Sequence, residues 1–232
     1  MLVLLFSKKR LFTKVATSVK ENYLKALYTL SDESGKVNIT DLSKHLHVTK
    51  PTANHMIKSL EELGWVKHER YKPVVLTALG RKAAALIIRK HRLTEMFLHE
   101  VMGFGWEEVH EVAEQMEHID SPLLFERMDE MLDYPKVDPH GSPIPDREGH
   151  VQELSYIALS EMKAGDHGTV SALRYSSQHL LHYLNQSSIE LGTKIELLRV
   201  EPFDGSRMIR YNGDQEKMVS EKVASSLLLS MD

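Results

Sequence analysis

The sequence predicts an α+β chain, mainly α, made of a winged helix-turn-helix domain, a helical block and a small β-barrel of the SH3 kind. Three patterns predict it. Before residue 78, short helical periods separated by capping and turn residues are followed by a two-strand hairpin. From Ala78 to Leu132 the apolar residues recur at helical spacing, and beyond residue 150 short apolar runs alternate with glycine-bearing turns. At 232 residues and 42% hydrophobic, the chain is long enough for two or three domains with cores of their own. The expected boundaries are 1–84, 85–150 and 151–232.

Val19, Tyr23, Ala26, Leu27 and Leu30 mark an amphipathic first helix that ends near Gly35. Thr40 is expected to cap a short second helix with Leu42 and Leu46 inward. Thr49 is an N-cap and Pro51 suits the first turn of a third helix, which runs through Met56, Ile57, Leu60 and Leu63 to Gly64. Helix, tight turn and helix at this length form a helix-turn-helix. Trp65 to His68 and Val74 to Thr77 then bracket Glu69-Arg70-Tyr71-Lys72-Pro73 as a β-hairpin wing, whose tip carries two cations and an aromatic. In a winged helix the recognition helix enters the major groove and the wing tip lies on phosphates. Thr49, Lys50, Pro51, Thr52, Asn54, His55 and Lys58 are therefore placed on the DNA side, with Arg70 and Lys72 at the wing. A winged helix also serves as a protein-interaction module, and here charge decides. Residues 1–92 carry 18 Lys and Arg against seven Asp and Glu, whereas residues 93–232 carry 11 against 26. The first stretch suits a polyanion and the second does not.

Thr77 is expected to cap a long helix from Ala78 to about Val101. After Gly103-Phe104-Gly105 a second helix follows, and a third covers residues 121–132 with Leu124, Phe125, Met128 and Leu132 inward. This block has more apolar surface than a lone helical layer buries, which points to a homodimer, as paired DNA half-sites require. Residues 133–150, with four prolines and two glycines, read as a linker. Strands are expected at Ser155–Leu159, Gly168–Leu173, Lys194–Val200, Arg207–Tyr211 and Leu227–Leu229, with a helix at Ser177–Asn185.

The helical block concentrates metal-binding side chains. His91 and Glu95 lie four apart on one helix; His110, Glu114, Glu117 and His118 fall at offsets 0, 4, 7 and 8 on the next, beside an apolar stripe of Val109, Val112, Ala113, Met116 and Ile119. For a single His or Glu a solvated surface is the better reading. Six in matching phase favour a chelated divalent ion. The chain has no Cys, so thiolate zinc fingers are excluded and the donors are nitrogen and oxygen. Asp138 and His140 add two more in the linker. Met1 to Phe6 is short, and Lys8-Lys9-Arg10 follow it, the reverse of a secretory signal; a cytoplasmic protein without a membrane partner is expected.

With these stretches in order, the sequence resembles the diphtheria toxin repressor family of metal-dependent transcriptional regulators, in its three-domain form. The resemblance is carried by Glu21-Asn-Tyr-Leu24, Pro51-Thr52, Leu76-Thr-Ala-Leu-Gly80, Arg89-Lys-His-Arg-Leu-Thr-Glu95, Val109-His110 through Glu117-His118, and Pro139-His-Gly-Ser-Pro-Ile-Pro145. Leu159-Ser-Glu-Met-Lys-Ala-Gly165 and Glu190-Leu-Gly-Thr-Lys-Ile-Glu196 are similar to the family's SH3-like, FeoA-type domain. The resemblance implies a homodimer that binds Mn2+ or Fe2+ as corepressor, then an operator, and shuts off metal-uptake genes, with no organic substrate. It implies a regulatory metal site of Asn22, Glu114, Glu117 and His118, and a second site of His91, Glu95 and His110. Glu114 stands where iron-responsive members have Cys, and a hard carboxylate favours manganese or ferrous iron. Asn22 stands where relatives often carry Met or Asp. A Cys-Pro-His-Gly stretch of some relatives reads Asp138-Pro-His140-Gly here, so Glu95, Asp138 and His140 form an alternative second site; Gln178, His179 and His182 stay open as further donors. Two rival readings remain. One is a winged-helix regulator sensing an organic ligand; the other is a carboxylate-bridged metalloenzyme, because Glu107-Glu-Val-His110 has the Glu-x-x-His spacing, though no second copy occurs.

Overall fold

The computed structural model describes residues 17–32, 34–70 and 72–231. The expectations placed on Met1 to Lys14 and on Tyr71 lie outside these residues. The chain divides into two compact units: one runs up to His91 and takes in Glu114–Arg127 and Pro145–Val151, and the other takes Arg92–Ala113, Met128–Ile144 and the chain from Gln152 on.

In the first unit, α1 (Ser18–Leu30) starts at Thr17, whose side chain accepts from the Lys20 backbone N–H. It buries Tyr23, Leu24, Ala26 and Leu27 and leaves Val19 exposed. β1 (Lys36–Val37) and α2 (Ile39–His45) follow. The N-cap of α2 is Asn38, without a side-chain cap bond, and the expected cap Thr40 lies inside the first turn. The turn to α3 (Lys50–Glu62) is tight because His47 takes φ 52°. Thr49 caps α3 through its Oγ1, 3.3 Å from Thr52 N, and Pro51 sits in the first turn, where its missing N–H costs nothing. Ala53, Ile57 and Leu60 turn into one core with Leu24, Leu27, Leu42 and Trp65.

The wing is three strands. β2 (Val66–Lys67) and β3 (Val74–Leu76) pair antiparallel, Val66 opposite Leu76, and β3 also pairs with β1, Val37 opposite Val74. That third strand had no sequence signal: two residues show no alternation. Next comes α4 (Ala78–Glu100), which belongs to the first unit up to His91 and to the second from Arg92 on. Thr77 begins it as expected, accepting from Gly80 N at 3.0 Å and donating to Gly64 O at 2.7 Å. α5 (Val109–Met116) and α6 (Pro122–Met131) complete the helical stretch.

In the second unit, six antiparallel strands run in the order β4-β9-β5-β6-β7-β8. They are β4 (Ile157–Ala158), β5 (His167–Leu173), β6 (Lys194–Val200), β7 (Arg207–Tyr211), β8 (Gln215–Val219) and β9 (Leu227–Met231). Ladder irregularities at Val170/Ala172 and Leu197/Arg199 add local twist to a small sheet. α7 (Gln178–Gln186), capped by Ser177, buries Leu181 and Leu184 against Val170, Leu197, Ile209 and Leu229. β8 and a short helix, α8 (Glu221–Ser226), went unforeseen: β8 buries only Val219. Residues 133–150 contain no helix and only one bridge, Val137 with Pro143, yet Asp138, His140 and Ile144 in them are buried. No helix among the described residues is long and apolar enough to cross a membrane.

Gly80 allows α4 to pass against the wing. A Cβ built there meets the Trp65 carbonyl oxygen at 1.9 Å, a backbone atom with no rotamer to yield. Gly80→Ala should therefore destabilise the first unit by about 2 kcal/mol or more, despite the better helix propensity of Ala; urea denaturation of the full chain measures it.

Candidate metal centre

α1 and the α5 segment supply the first cluster, all within the first unit. Glu117 is fully buried and a bare carboxylate there is costly, so its oxygens are heavily engaged. Oε1 and Oε2 accept from Lys25 Nζ at 2.8 and 2.9 Å, and Oε2 also from His91 Nδ1 at 2.6 Å. Lys25 donates in addition to Glu114. Burial pushes the Glu117 carboxyl up, but the His91 hydrogen bond and the charges of Lys25 and His91 outweigh it, leaving it below the usual carboxylate range. Lys90, on α4, donates to the Glu117 and Ile119 carbonyls at 3.2 Å each, closing the end of α5.

His118 faces the same place from the residues after α5. Its Nδ1 is 2.6 Å from Glu21 Oε2. A carboxylate only accepts, so Nδ1 carries a proton and the ring is turned with Nε2 toward Glu117, 3.7 Å from its Oε1. A carboxylate behind an imidazole is the arrangement that orients metal-binding histidines. Asn22 Oδ1, one residue on from Glu21, is buried with no hydrogen-bond partner. An orphaned carbonyl oxygen, a directed imidazole and two carboxylates held by one ammonium fit a hard divalent cation.

The second cluster lies within the second unit. Glu95 on α4, Asp138 and His140 are all buried, and one donor atom from each lies within 4.8 Å of the others. His140 is held by Trp106. Its Nε2 is 2.9 Å from the Trp106 carbonyl and its ring stacks on the indole at 6.1 Å and 21°; Trp106 Nε1 in turn donates to Asn185 Oδ1 at 2.7 Å. The carbonyl fixes a proton on Nε2 and leaves Nδ1 facing the acids, 3.9 Å from Glu95 Oε2 and 4.0 Å from Asp138 Oδ1. Asp138 Oδ1 accepts from the backbone N–H of His140 and Ser142, at 2.8 and 2.9 Å, which shapes the loop. Burial first and the Glu95 charge second raise the Asp138 carboxyl above its ordinary range, against Arg92 and His140. Arg92 stands 3.6 Å from Asp138 Oδ2 and donates to the Pro143 carbonyl. His110, whose side chain is more than half exposed, reaches Glu95 Oε1 at 3.1 Å. Two buried carboxylates beside an imidazole held in place by Trp106 again fit a divalent ion.

Among the expected residues, Glu114 and Glu117 share Lys25 and His118 stands 3.7 Å from Glu117, with Asn22 beside Glu21 in sequence on α1; Glu95, Asp138 and His140 form the second cluster, with His110 3.1 Å from Glu95. His91, which the resemblance groups with Glu95 and His110, hydrogen-bonds Glu117. Gln178, His179 and His182 are exposed on α7 and do not join the second cluster among the described residues. Sequence reasoning missed Glu21, Lys25, Arg92 and Trp106. Glu21 and Lys25 carried one signal, the i, i+4 spacing that puts them on one helix face. On the nucleic-acid side, Thr49, Lys50, Pro51, Thr52, Asn54, His55 and Lys58 are all exposed along α3, as are Arg70 and Lys72. Asn54 donates to the Lys50 carbonyl at 3.0 Å, and Lys72 to Glu69 at 2.5 Å.

Family models match in the same order: "Iron dependent repressor, N-terminal DNA binding domain" over residues 16–74, "Iron dependent repressor, metal binding and dimerisation domain" over 77–146, and "FeoA domain" over 157–231. The chain belongs to the diphtheria toxin repressor family. Among its relatives, the iron-dependent repressor IdeR of Mycobacterium tuberculosis is 30% identical over 189 residues, 78% of this chain and 80% of IdeR. The diphtheria toxin repressor of Corynebacterium glutamicum is 24% identical over 218 residues, 87% of this chain and 91% of that protein. A solved manganese-dependent transcriptional repressor in complex with manganese superposes with a TM-score of 0.83 at 32% identity, covering 92% of this chain and all of the other. Within the family's frame, the exposed residues of α3 and the wing fall inside the DNA-binding model. Eight of the nine candidate metal residues fall inside the metal-binding model; Asn22, in the DNA-binding model, is the ninth.

The loop that carries Asp138 and His140 depends on Gly141, which has φ +82°; a Cβ there meets Ser171 O at 2.2 Å and Ala172 Cα at 2.5 Å. Gly141→Ala should cost about 2 to 4 kcal/mol and weaken metal uptake by the second cluster while sparing the first. Thermal denaturation with and without manganese, with bound metal counted, checks both effects.

Proposed function

We propose that this chain is a Mn2+- or Fe2+-dependent DNA-binding repressor of metal-uptake genes, working as a homodimer with the metal as corepressor and without catalytic turnover. Its division is into a winged-helix domain (1–84), a helical metal-binding and dimerisation domain (85–150) and an FeoA-type domain (151–232). Its DNA partner places its work in the cytoplasm. The relatives' names support either metal, since IdeR is iron-dependent and the superposed repressor was solved with manganese.

One observation carries this reading. Glu114, Glu117 and His118 meet, in one cluster, side chains of α1, the first helix of the DNA-binding model. The regulatory site consists of Asn22, Glu114, Glu117 and His118; the second consists of Glu95, His110, Asp138 and His140. When bound, the metal supplies a divalent charge shared by donors of α1 and of the α5 segment. Glu21 keeps the His118 lone pair directed, His91 holds Glu117, and the Asn22 amide supplies a neutral oxygen. Ligation thereby favours one placement of α1, and with it of α3, over the alternatives. In the dimer the two recognition helices then address half-sites about 34 Å apart along the duplex.

The test is a titration of the full chain against duplexes enriched from a random pool, with manganese, ferrous iron, zinc or chelator. Stimulation of about 5- to 150-fold by the active metal is expected, with loss in chelator and in both Glu114→Ala and His118→Ala. Normal stimulation in both variants contradicts the regulatory site; DNA binding indifferent to chelator contradicts the metal-dependent reading altogether. Lys50→Ala and Lys58→Ala should each lower the slope of log affinity against log salt by about 1.

A further inference from the structure

Lys25 occupies the heart of the first cluster. Its ammonium contacts Glu114 and both oxygens of Glu117. Asn22 precedes it by three residues, on the same helix face. A divalent ion about 2.1 Å from either Glu117 oxygen would stand no more than about 5 Å from Nζ, since Nζ is 2.8 and 2.9 Å from those oxygens. Two cations at that separation repel, most strongly where water is scarce. The Lys25 side chain retains a fifth of its surface to solvent, and its four-carbon stem gives the ammonium a route outward.

We propose that Lys25 is a tethered competitor for the metal, so that metal binding here is an exchange of one cation for another and Lys25 sets the metal concentration at which the protein responds. The inference rests on the regulatory site proposed above. It accounts for two features together. Glu114 and Glu117 share one ammonium, and the Asn22 oxygen, which that ammonium does not reach, has no hydrogen-bond partner. It also separates Lys25 from a purely structural ion pair. A structural partner that merely positions the carboxylates would leave metal binding weaker when removed, whereas a competitor leaves it tighter.

The experiment compares the full-length wild type with Lys25→Gln and Lys25→Arg, without DNA. Free Mn2+ is followed by its electron paramagnetic resonance signal, and thermal unfolding is recorded with and without the ion. Lys25→Gln should bind manganese roughly tenfold tighter or more; its metal-free form should melt lower and the manganese-induced rise should exceed that of the wild type. Lys25→Arg, which keeps the charge, should bind like the wild type. If wild type and Lys25→Gln bind equally, or Lys25→Gln binds more weakly with a smaller rise, the competitor role is overturned while the metal site stands. If wild-type binding is unaffected by Glu114→Ala and His118→Ala, the site itself falls and the inference with it.

Discussion

A buried carboxylate must have a positive partner, and in this protein Glu117 imposes that requirement on three segments at once. With none of its surface exposed, it draws Lys25 from α1 and His91 from α4 to itself. Removing one partner from such a network costs far more than the network's net contribution, because the remaining charge is stranded. The local arrangement of the first unit follows from that demand. α1 is an ordinary amphipathic helix with an apolar face in the core and, on the adjoining face, Glu21 and Lys25, which meet the α5 segment. A helix that helps hold the helix-turn-helix is thus also a wall of the candidate metal centre, so a cation bound as proposed would act on α3 without a separate relay.

The second cluster obeys the same electrostatics with a different solution. Glu95 and Asp138 are buried close together, and Arg92 lies 3.6 Å from Asp138. The imidazole of His140 is locked by Trp106 from one side and leaves its free nitrogen toward the acids. Where the first cluster carries its own cation, this one sets two acids close together, and burial with the Glu95 charge holds the Asp138 carboxyl above its ordinary range.

Much of this was legible in the sequence because it rests on local rules. Thr49-Lys-Pro51, Gly64 and Thr77 mark helix ends by the backbone groups they satisfy or omit, and the exposed face of α3 follows from the 3.6-residue period. Glu114 keeps the expected helical phase with His110, whereas Glu117 and His118 fall in the turn just past the end of α5. What escaped is non-local. That His91 turns to Glu117 depends on how α4 meets the α5 segment, which spacing along one helix does not encode. Asp138 and His140 sit in a proline-rich stretch that reads as a linker, yet Gly141 packs against β5 and the Asp138 side chain ties the loop. β1 and β8 were missed because short or exposed strands have no apolar alternation to detect.

The account turns on donors from α1 and the α5 segment converging on one cation. A crystal structure of the full chain grown with manganese, with the ion located by its anomalous scattering, tests this most directly. The account predicts a peak bonded to Glu114, Glu117, His118 and the Asn22 amide oxygen, with the Lys25 ammonium withdrawn from both carboxylates. Lys25 still bridging Glu114 and Glu117 in manganese-saturated crystals, with no peak among these residues, would contradict it.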